Sequence, residues 1–564
     1  MKRLLGSERL LILILAAVIL GLSFYPLVYY RSISPAGTIF PLIHNYAPDY
    51  NLYLHYMRQG WDGHFLINTN YTPETYPDRF VYPIYIVLGH AAGLFSISLP
   101  VTYNLSRLVF GIVFLYLITR LIQTVYPTSP WKRKGAYFFC ILGTGFVGFD
   151  GIHLVRYLPF WTEINILERF AYIPHHLFAK MLSIGVILLL AEAIKQPSVK
   201  NDKHNSFSNL NSKLRLPIRL RSPFSRPWVN KLLIAAFLGI LTGLSSPYVL
   251  INLEITLVFT AFLYAVSFRN NRKILIRTVG MLVFFMAVSS LSLIYQRWVE
   301  QASFPWTSYI DWEKQVFPLD IPSFLLSLGP LFWFSLLAVP EFFRKKSFLS
   351  LLLVAWLFEP IIGIVFISKL GILTNVRFLS GSHFIPIGII GAWGVICVSK
   401  FIASKSHIKP KIIGCTIVLL CSIIFFLNIK INLSDNLHTF SPGFYNYFIP
   451  TQLWQGFDYL NNYTPPGAIV LSNGYTGNLI PAYTHSKAVL GHLTHTYNLS
   501  VKEQEALRFF RQEDVEFAHT LLNKYHVRYV FYSLDTDPPN ANFITKMGLV
   551  KVFGKDRSVI YKVE

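Results

Sequence analysis

Long apolar runs alternate with short polar segments through the first 430 residues, at about 10–29, 82–99, 104–122, 135–150, 175–194, 232–246, 249–266, 275–296, 321–340, 348–368, 379–399 and 411–429. A bilayer core needs roughly 20 such residues per helix, so most of these runs read as membrane spans. Beyond about residue 440 the pattern changes. Short β-rich runs at Ala468–Leu471, Ala488–Leu490, Val527–Tyr532, Val550–Phe553 and Ser558–Val563 read as strands. Val501–Lys524 carries Leu507, Phe510, Phe517 and Leu521 at helical spacing and reads as one helix. The pattern predicts a polytopic α-helical membrane module over 1–435, followed by a water-soluble α/β domain over 440–564. That second stretch is long enough for its own core.

Charge decides the topology. Six segments between the runs (1–9, 120–134, 195–231, 269–277, 344–346 and 400–411) hold 27 of the 50 Lys and Arg, with few acids among them. The positive-inside rule places all six on the cytoplasmic side. They fit there only if one of the runs 82–99 and 104–122 does not span. Little more than Pro100–Tyr103 separates the two, and Pro83 breaks the first near its start. The run 82–99 is therefore expected to lie along the outer surface, inside a long first outer loop of about 31–103. This gives about 11 transmembrane helices, with the N-terminus inside and the C-terminal α/β domain extracytoplasmic, outside the cytoplasmic membrane. Leu10–Leu27 follows Lys2, Arg3 and Arg9 and has no small-x-small cleavage site, so an uncleaved first span is expected. The loop 195–231, with nine cations, reads as cytoplasmic and attracted to anionic lipid.

Composition agrees: 53% of residues are hydrophobic and only 14% charged, against roughly 25% charged in soluble domains. This excludes a disordered chain, a coiled coil and a small disulfide-stapled domain. The net charge of +22 is accounted for by loop anchoring, and no base-stacking module accompanies it, so no nucleic-acid partner is expected. The four cysteines (Cys140, Cys397, Cys415, Cys421) all lie in apolar runs, which excludes a disulfide framework and a CxxC metal site.

The outer segments, unlike the basic ones, are nearly charge-balanced and hold the candidate chemistry. Asp49 sits among Tyr46, Tyr50 and Tyr53, a setting that suits a general base; it also precedes the helical-looking Tyr50–Gln59 and could cap it. Asp150 ends the run 135–150 and reads equally as an acceptor or metal ligand and as a plain loop carboxylate. Two carboxylates do not complete a metal site, so Mg²⁺ or Mn²⁺ at Asp49 and Asp150 stays open. Arg377, Arg58, Arg156 and Arg169, with Lys369, lie on the predicted outer face, where arginine suits phosphate and also suits interfacial snorkelling. His175 and His176 follow Pro174 at the mouth of a span, with Lys180 about a turn below. Adjacent helical side chains point apart, which argues against a shared metal and leaves hydrogen bonding to substrate or an interfacial role. Glu254 and Glu359 interrupt apolar runs and are functional candidates for that reason, with pairing to a buried Arg or amide as the rival account. His485, His492 and His495 lack zinc spacing and read as packing or cavity-facing groups. Gly239 and Gly243 form a GxxxG of close helix packing.

Several of these residues occur in a recognisable order. Pro48-Asp49-Tyr50, Tyr53, Arg58-Gln59-Gly60 and Gly63 open the first outer loop; Tyr82-Pro83 starts the surface helix and Ser106-Arg107 opens the next span. This layout resembles the GT-C superfamily of membrane glycosyltransferases, and within it the protein O-mannosyltransferases and the lipid A aminoarabinose transferase. Gly145–Gly151 is similar to the second acidic position of the oligosaccharyltransferase catalytic subunit. Arg377-Phe378 with His383, Pro386 and Gly391 resembles the Arg-Tyr…Pro pattern of the superfamily, and Tyr459–Val470 looks like the start of an oligosaccharyltransferase-like outer domain. The WWDYG acceptor motif is absent; Ser472–Gly477 stands in that region. The Asp-Glu pair of O-mannosyltransferases is also absent, since Tyr50 follows Asp49. The resemblance implies an inverting glycosyltransferase of the cell envelope that takes sugar from a polyprenyl-phosphate donor and passes it to a glycan, lipid or protein acceptor. It implies Asp49 as the catalytic base, Asp150 at a second acidic position and Arg377 facing the lipid phosphate; with these, Arg58, Arg169, His175, His176 and Lys369 are the candidate substrate-binding residues. The rivals are oligosaccharyltransferase-like en bloc glycan transfer and a non-enzymatic secondary transporter, for which paired inverted repeats would be expected and none is found.

Overall fold

The computed structural model describes residues 2–158, 162–195, 227–438, 447–534 and 536–564. Helix α1 (Lys2–Ser32) is followed by β1 (Thr38–Ile39), α2 (Ala47–Trp61), α3 (Pro83–Phe95) and α4 (Leu99–Val125). At 13 residues, α3 is too short to cross a bilayer. Proline fixes the entry to helix after helix here, with Pro48, Pro83 and Pro100 in the first turns of α2, α3 and α4, where a missing N–H costs nothing.

Next come α5 (Pro130–Leu142) and a hairpin of β2 (Val147–Asp150) and β3 (His153–Arg156). The run 135–150 is therefore not one helix. Gly143 closes α5, and Gly151, at φ 60°, makes the hairpin turn. The remaining membrane helices are α6 (Pro174–Ile194), α7 (Pro227–Ser245), α8 (Pro247–Ser267) and α9 (Arg272–Ala302). After them come the short α10 (Ser308–Glu313), then α11 (Ile321–Ser327), α12 (Gly329–Arg344), α13 (Phe348–Ile362), α14 (Phe384–Ala403) and α15 (Pro410–His438).

Among the described residues nine helices are long and apolar enough to cross a membrane, and α11 with α12, bent by 89°, makes a tenth. The bend falls at Gly329, whose φ is +74° and where a Cβ would lie 1.9 Å from the Thr144 carbonyl oxygen. The short α5 and the extended residues after it run from Lys134, which bonds Ser7 at 2.8 Å, to Arg156, which pairs with Asp435 at 2.9 Å. The GxxxG pair packs α7 onto α9: a Cβ on Gly239 or Gly243 would press into Ser289 or Ser292.

The two ends of the bundle differ in charge. At one end Arg133 pairs with Glu8 at 2.7 Å, and Lys132 lies 3.6 Å from the Trp393 ring centre, with Lys345 and Lys400 near the same ring. This is where the described basic segments gather; residues 196–226 of the nine-cation loop lie outside the described residues. At the other end the loops touch one another and the C-terminal region, as Arg156 does with Asp435 (2.9 Å) and Tyr309 with His495 (3.2 Å).

In the C-terminal region β4 (Ile449–Pro450) pairs with β1, tying this part to the first loop, and α16 (Thr451–Tyr463) follows. Then come β5 (Ile469–Leu471), α17 (Gly474–Tyr483), β6 (Lys487–Ala488), α18 (Leu499–Phe510), α19 (Val515–Lys524), β7 (Tyr529–Tyr532), α20 (Ala541–Lys546), β8 (Leu549–Lys555) and β9 (Ser558–Val563). The five-stranded sheet runs β6-β5-β7-β9-β8, parallel from β6 to β7 and antiparallel beyond. All five strands coincide with the β-rich runs. The single helix expected over 501–524 is two. Gln512 takes φ 61°, and Asp514 starts α19 afresh by accepting from the Phe517 N–H at 2.9 Å.

In a cysteine-free background, single cysteines at His407 and Asn462, both exposed, should label with an impermeant maleimide from opposite sides of the membrane. Labelling of both from one side would contradict a crossing by α15.

Candidate active site

Asp49 lies inside the first turn of α2, because the helix starts at Ala47 with Tyr46 as its N-cap residue. It is therefore not the cap, which corrects the structural role that the sequence left open. Its side chain is 43% exposed, and Oδ1 lies 3.5 Å from Nε2 of His492, a residue of the C-terminal region. One turn further on, Tyr53 stacks on Tyr85 of α3 (centroids 5.0 Å apart, planes within 10°) and lies nearly parallel to Tyr103 of α4. Tyr56, Tyr82, Trp306 and Tyr309 continue this aromatic wall. Tyr53, Tyr82, Tyr172 and Tyr309 each keep some exposure, so the wall lines open space.

Arg377 sits on the 3-10 stretch Asn375–Ser380 just before α14. Its guanidinium lies over the rings of Trp312 (4.3 Å) and Tyr248 (4.6 Å), and its Nη2 donates to Glu313 Oε1 at 2.6 Å. The phenol of Tyr172 feels both charges. Burial and the Glu168 carboxylate push it well above its ordinary value; the Asp49 charge adds to that shift and the Arg377 charge opposes it. At Tyr53, burial and then the Asp49 charge act the same way. Ring contacts that run from Arg377 through Tyr248, His176 and His175 to Tyr53, one turn beyond Asp49, join the two groups along the wall. His175 and His176 lie beside it on the first turn of α6. His175 Nδ1 meets the Tyr85 hydroxyl at 2.7 Å and His176 Nδ1 meets Ser246 Oγ at 3.1 Å. Their rings do not diverge as expected. The centroids are 3.7 Å apart, because neighbouring rings turn both histidines to one side of the helix end.

The other candidates lie elsewhere. Arg58, at the far end of α2, pairs with Asp62 and reaches Asn461 at 3.4 Å, joining α2 to α16. Arg169 is buried and donates to the carbonyls of Glu163 (2.7 Å) and Gly143 (2.5 Å), with its plane near Phe384. Asp150 stands exposed at the β2–β3 turn. Lys369 is exposed on the 3-10 turn Ser368–Leu370, between exposed Phe366 and Ile372. Lys180 is buried against Glu163 at 2.8 Å, and Glu163 also accepts from the Ser382 N–H and hydroxyl. Glu254 accepts from the Ser289 and Ser290 hydroxyls, whereas both carboxylate oxygens of Glu359 are buried without a hydrogen bond.

For a divalent metal the donor set does not fit: no contact joins Asp150 to Asp49, and among the described residues no three His, Cys, Asp or Glu gather into a ligand group. Sequence reasoning missed Glu313 and Trp312, whose only signal was an acid beside an aromatic in an outer segment, and the tyrosines Tyr85, Tyr103, Tyr172, Tyr248 and Tyr309. It treated His492 together with His485 and His495. His495 is held by Tyr56 and Tyr309 and His485 by the Thr464 carbonyl, so only His492 reaches Asp49.

No family model matches the sequence, and no curated protein aligns with it significantly. Solved structures do match. The apo oligosaccharyltransferase of Archaeoglobus fulgidus aligns with 93% of this chain and 69% of its own at TM-score 0.55 and 12% identity. The same archaeal enzyme, AglB, in complex with an inhibitory peptide and a dolichol-phosphate gives 0.54 and 13% over the same shares. The arabinofuranosyltransferase AftD from Mycobacteria aligns with 98% of this chain and 40% of its own, at TM-score 0.52 and 13% identity. The chain has the fold of the GT-C membrane glycosyltransferases.

Lys180→Met should leave the buried Glu163 charged and without its cation, held only by Ser382, a loss of about 3–5 kcal/mol for a broken buried pair. The expected result is a marked drop in melting temperature in detergent, largely recovered by adding Glu163→Gln.

Proposed function

We propose that the protein is an inverting membrane glycosyltransferase that moves a hexose or pentose from a polyprenyl-phosphate donor to an acceptor at the outer face of the cytoplasmic membrane. In this reading the bundle over 1–435 holds the donor, and the region over 440–564 faces the acceptor. The observation that carries it is the half-open carboxylate of Asp49 beside an aromatic wall whose ring contacts lead on to the Arg377 guanidinium. The GT-C fold supports the class, and the dolichol-phosphate bound to AglB supports a lipid phosphate as the carrier.

The chemistry then follows. Asp49 takes the proton of an acceptor hydroxyl as its oxygen attacks the anomeric carbon from the side opposite the phosphate. The new carbon–oxygen bond forms while the bond to the phosphate oxygen breaks, and polyprenyl phosphate leaves with the electron pair. Arg377 stabilises the charge that grows on that phosphate, more in the transition state than before it. Glu313 holds the guanidinium in place, leaving Nη1 for the phosphate. The tyrosine faces suit a sugar ring. Lys369, on a rim with exposed Phe366, Leu370 and Ile372, suits a headgroup-level phosphate. En bloc transfer to protein shares the fold, but Ser472–Gly477, which stands in the region of the acceptor motif, is taken up by packing. Ser472 is fully buried, and Asn473 caps α17 by accepting from the Thr476 N–H at 2.8 Å.

The test is turnover of a panel of synthetic polyprenyl-phosphate hexoses and pentoses by the full-length protein in nanodiscs, with envelope extract as acceptor. Asp49→Asn should lower turnover by roughly 10²–10⁴-fold while donor binding survives; wild-type turnover would refute the base assignment. Arg377→Ala should lower turnover strongly and Arg377→Lys restore only part of it, since an ammonium cannot reproduce the planar fork. A fully active Lys variant beside a mildly affected Ala variant would reduce Arg377 to a packing role.

A further inference from the structure

His492 is nearly fully buried, yet its Nε2 has no hydrogen-bond partner, and the nearest charged atom is Asp49 Oδ1 at 3.5 Å. The other ring nitrogen is spoken for. The Thr494 backbone N–H lies 3.3 Å from Nδ1 and its hydroxyl 3.2 Å away. A nitrogen that accepts from a backbone amide carries no proton, so the proton of the neutral ring sits on Nε2 and faces the carboxylate.

The ring is also fixed in place from behind. The His492 N–H donates to Thr496 Oγ1 at 3.1 Å, and that hydroxyl donates to the Tyr71 carbonyl at 2.9 Å. Just before it, Gly491 crosses Gly477 of α17 so closely that a Cβ would lie 2.3 Å from the Gly477 carbonyl carbon. The next residue of α17, Asn478, accepts from Asn51 of α2 at 2.7 Å, two positions beyond Asp49. The imidazole and the carboxylate are thus mounted on the same joint from opposite sides.

We propose that His492 is the positioning residue of the candidate base: its Nε2–H holds one oxygen of Asp49 so that the other faces the acceptor. This rests on the reading of Asp49 as the base. The gap of 3.5 Å is long for a closed hydrogen bond, and such contacts commonly tighten only when substrate is bound. The C-terminal region then completes the site rather than merely covering it.

The variants are made in the full chain and assayed in nanodiscs with the polyprenyl-phosphate sugar of the panel that wild type turns over. His492→Leu should lower kcat by roughly a hundredfold, the order expected of a misplaced reacting group, with donor KM within about twofold. His492→Gln keeps a donor near the Nε2 position and should recover at least a tenth of the wild-type rate. Unfolding is controlled by the melting temperature. Independently of turnover, Asp49→Cys with His492→Cys should link through a short bis-methanethiosulfonate reagent, whereas Asp49→Cys with His485→Cys should not. Wild-type kcat in a folded His492→Leu variant, while Asp49→Asn is inactive, would overturn the positioning role and leave the base standing. Full activity in both would remove the base itself. Equal loss in the Leu and Gln variants, or no cross-link at His492, would likewise overturn the proposal.

Discussion

Helix α2 buries ten of its fifteen residues although it belongs to a loop outside the bundle. A helix covered on so many sides must satisfy its polar residues internally, because each unpaired buried group costs about 1–3 kcal/mol. Asn51, His55 and Gln59, spaced four apart, form one polar stripe. Asn51 bonds Asn478, His55 meets the Pro481 carbonyl at 3.2 Å, and Gln59 exchanges hydrogen bonds with the backbone of residue Asn68. The opposite side closes on α3 at backbone distance, where a Cβ on Gly60 or Gly89 would strike a carbonyl oxygen. Held between α3 and α17, α2 has little freedom to rotate. That constraint fixes where Asp49 and Tyr53 stand, and the rest of the cavity is arranged around them.

The cavity separates two kinds of charge. Inside the bundle, Arg107 and Arg169 spend their donors on carbonyls, and Lys180 spends its charge on Glu163; these groups hold loops and helix ends together. Arg377 is different, since it lies flat between aromatic faces with one carboxylate at its edge and keeps some exposure. A guanidinium in that setting is rigid without being saturated, which is the condition for meeting an incoming anion.

Much of this architecture is legible in the sequence because hydropathy and Lys/Arg placement are local properties. That 82–99 does not form a span followed from charge parity, and the five strands from β-rich runs. Local breaks were harder to see. Gln512 and Asp514 divide a helix whose apolar spacing runs on through them, and Gly143 ends α5 inside an apolar run. Asp49 stood out for its aromatic company, but its cap-like position before Tyr50–Gln59 concealed that the helix starts earlier, at Ala47. The partners of Glu313 and His492 were beyond reach for another reason. Each acts through a partner more than sixty residues away, and no periodicity encodes such a meeting.

The joint between Asn51 and Asn478 spans 427 residues of chain. At synthesis rates of roughly 5–20 residues per second, Asn51 and the Nδ1 edge of His55 are made on the order of 20–90 s before Asn478 and Pro481, whereas Gln59 meets Asn68 only nine residues on. The half of the stripe nearest Asp49 is therefore complete only once residues 478–481 have been made, and His492 follows in the same stretch of chain. Closure of α2 and arrival of the imidazole thus draw on one segment synthesised long after the helix itself.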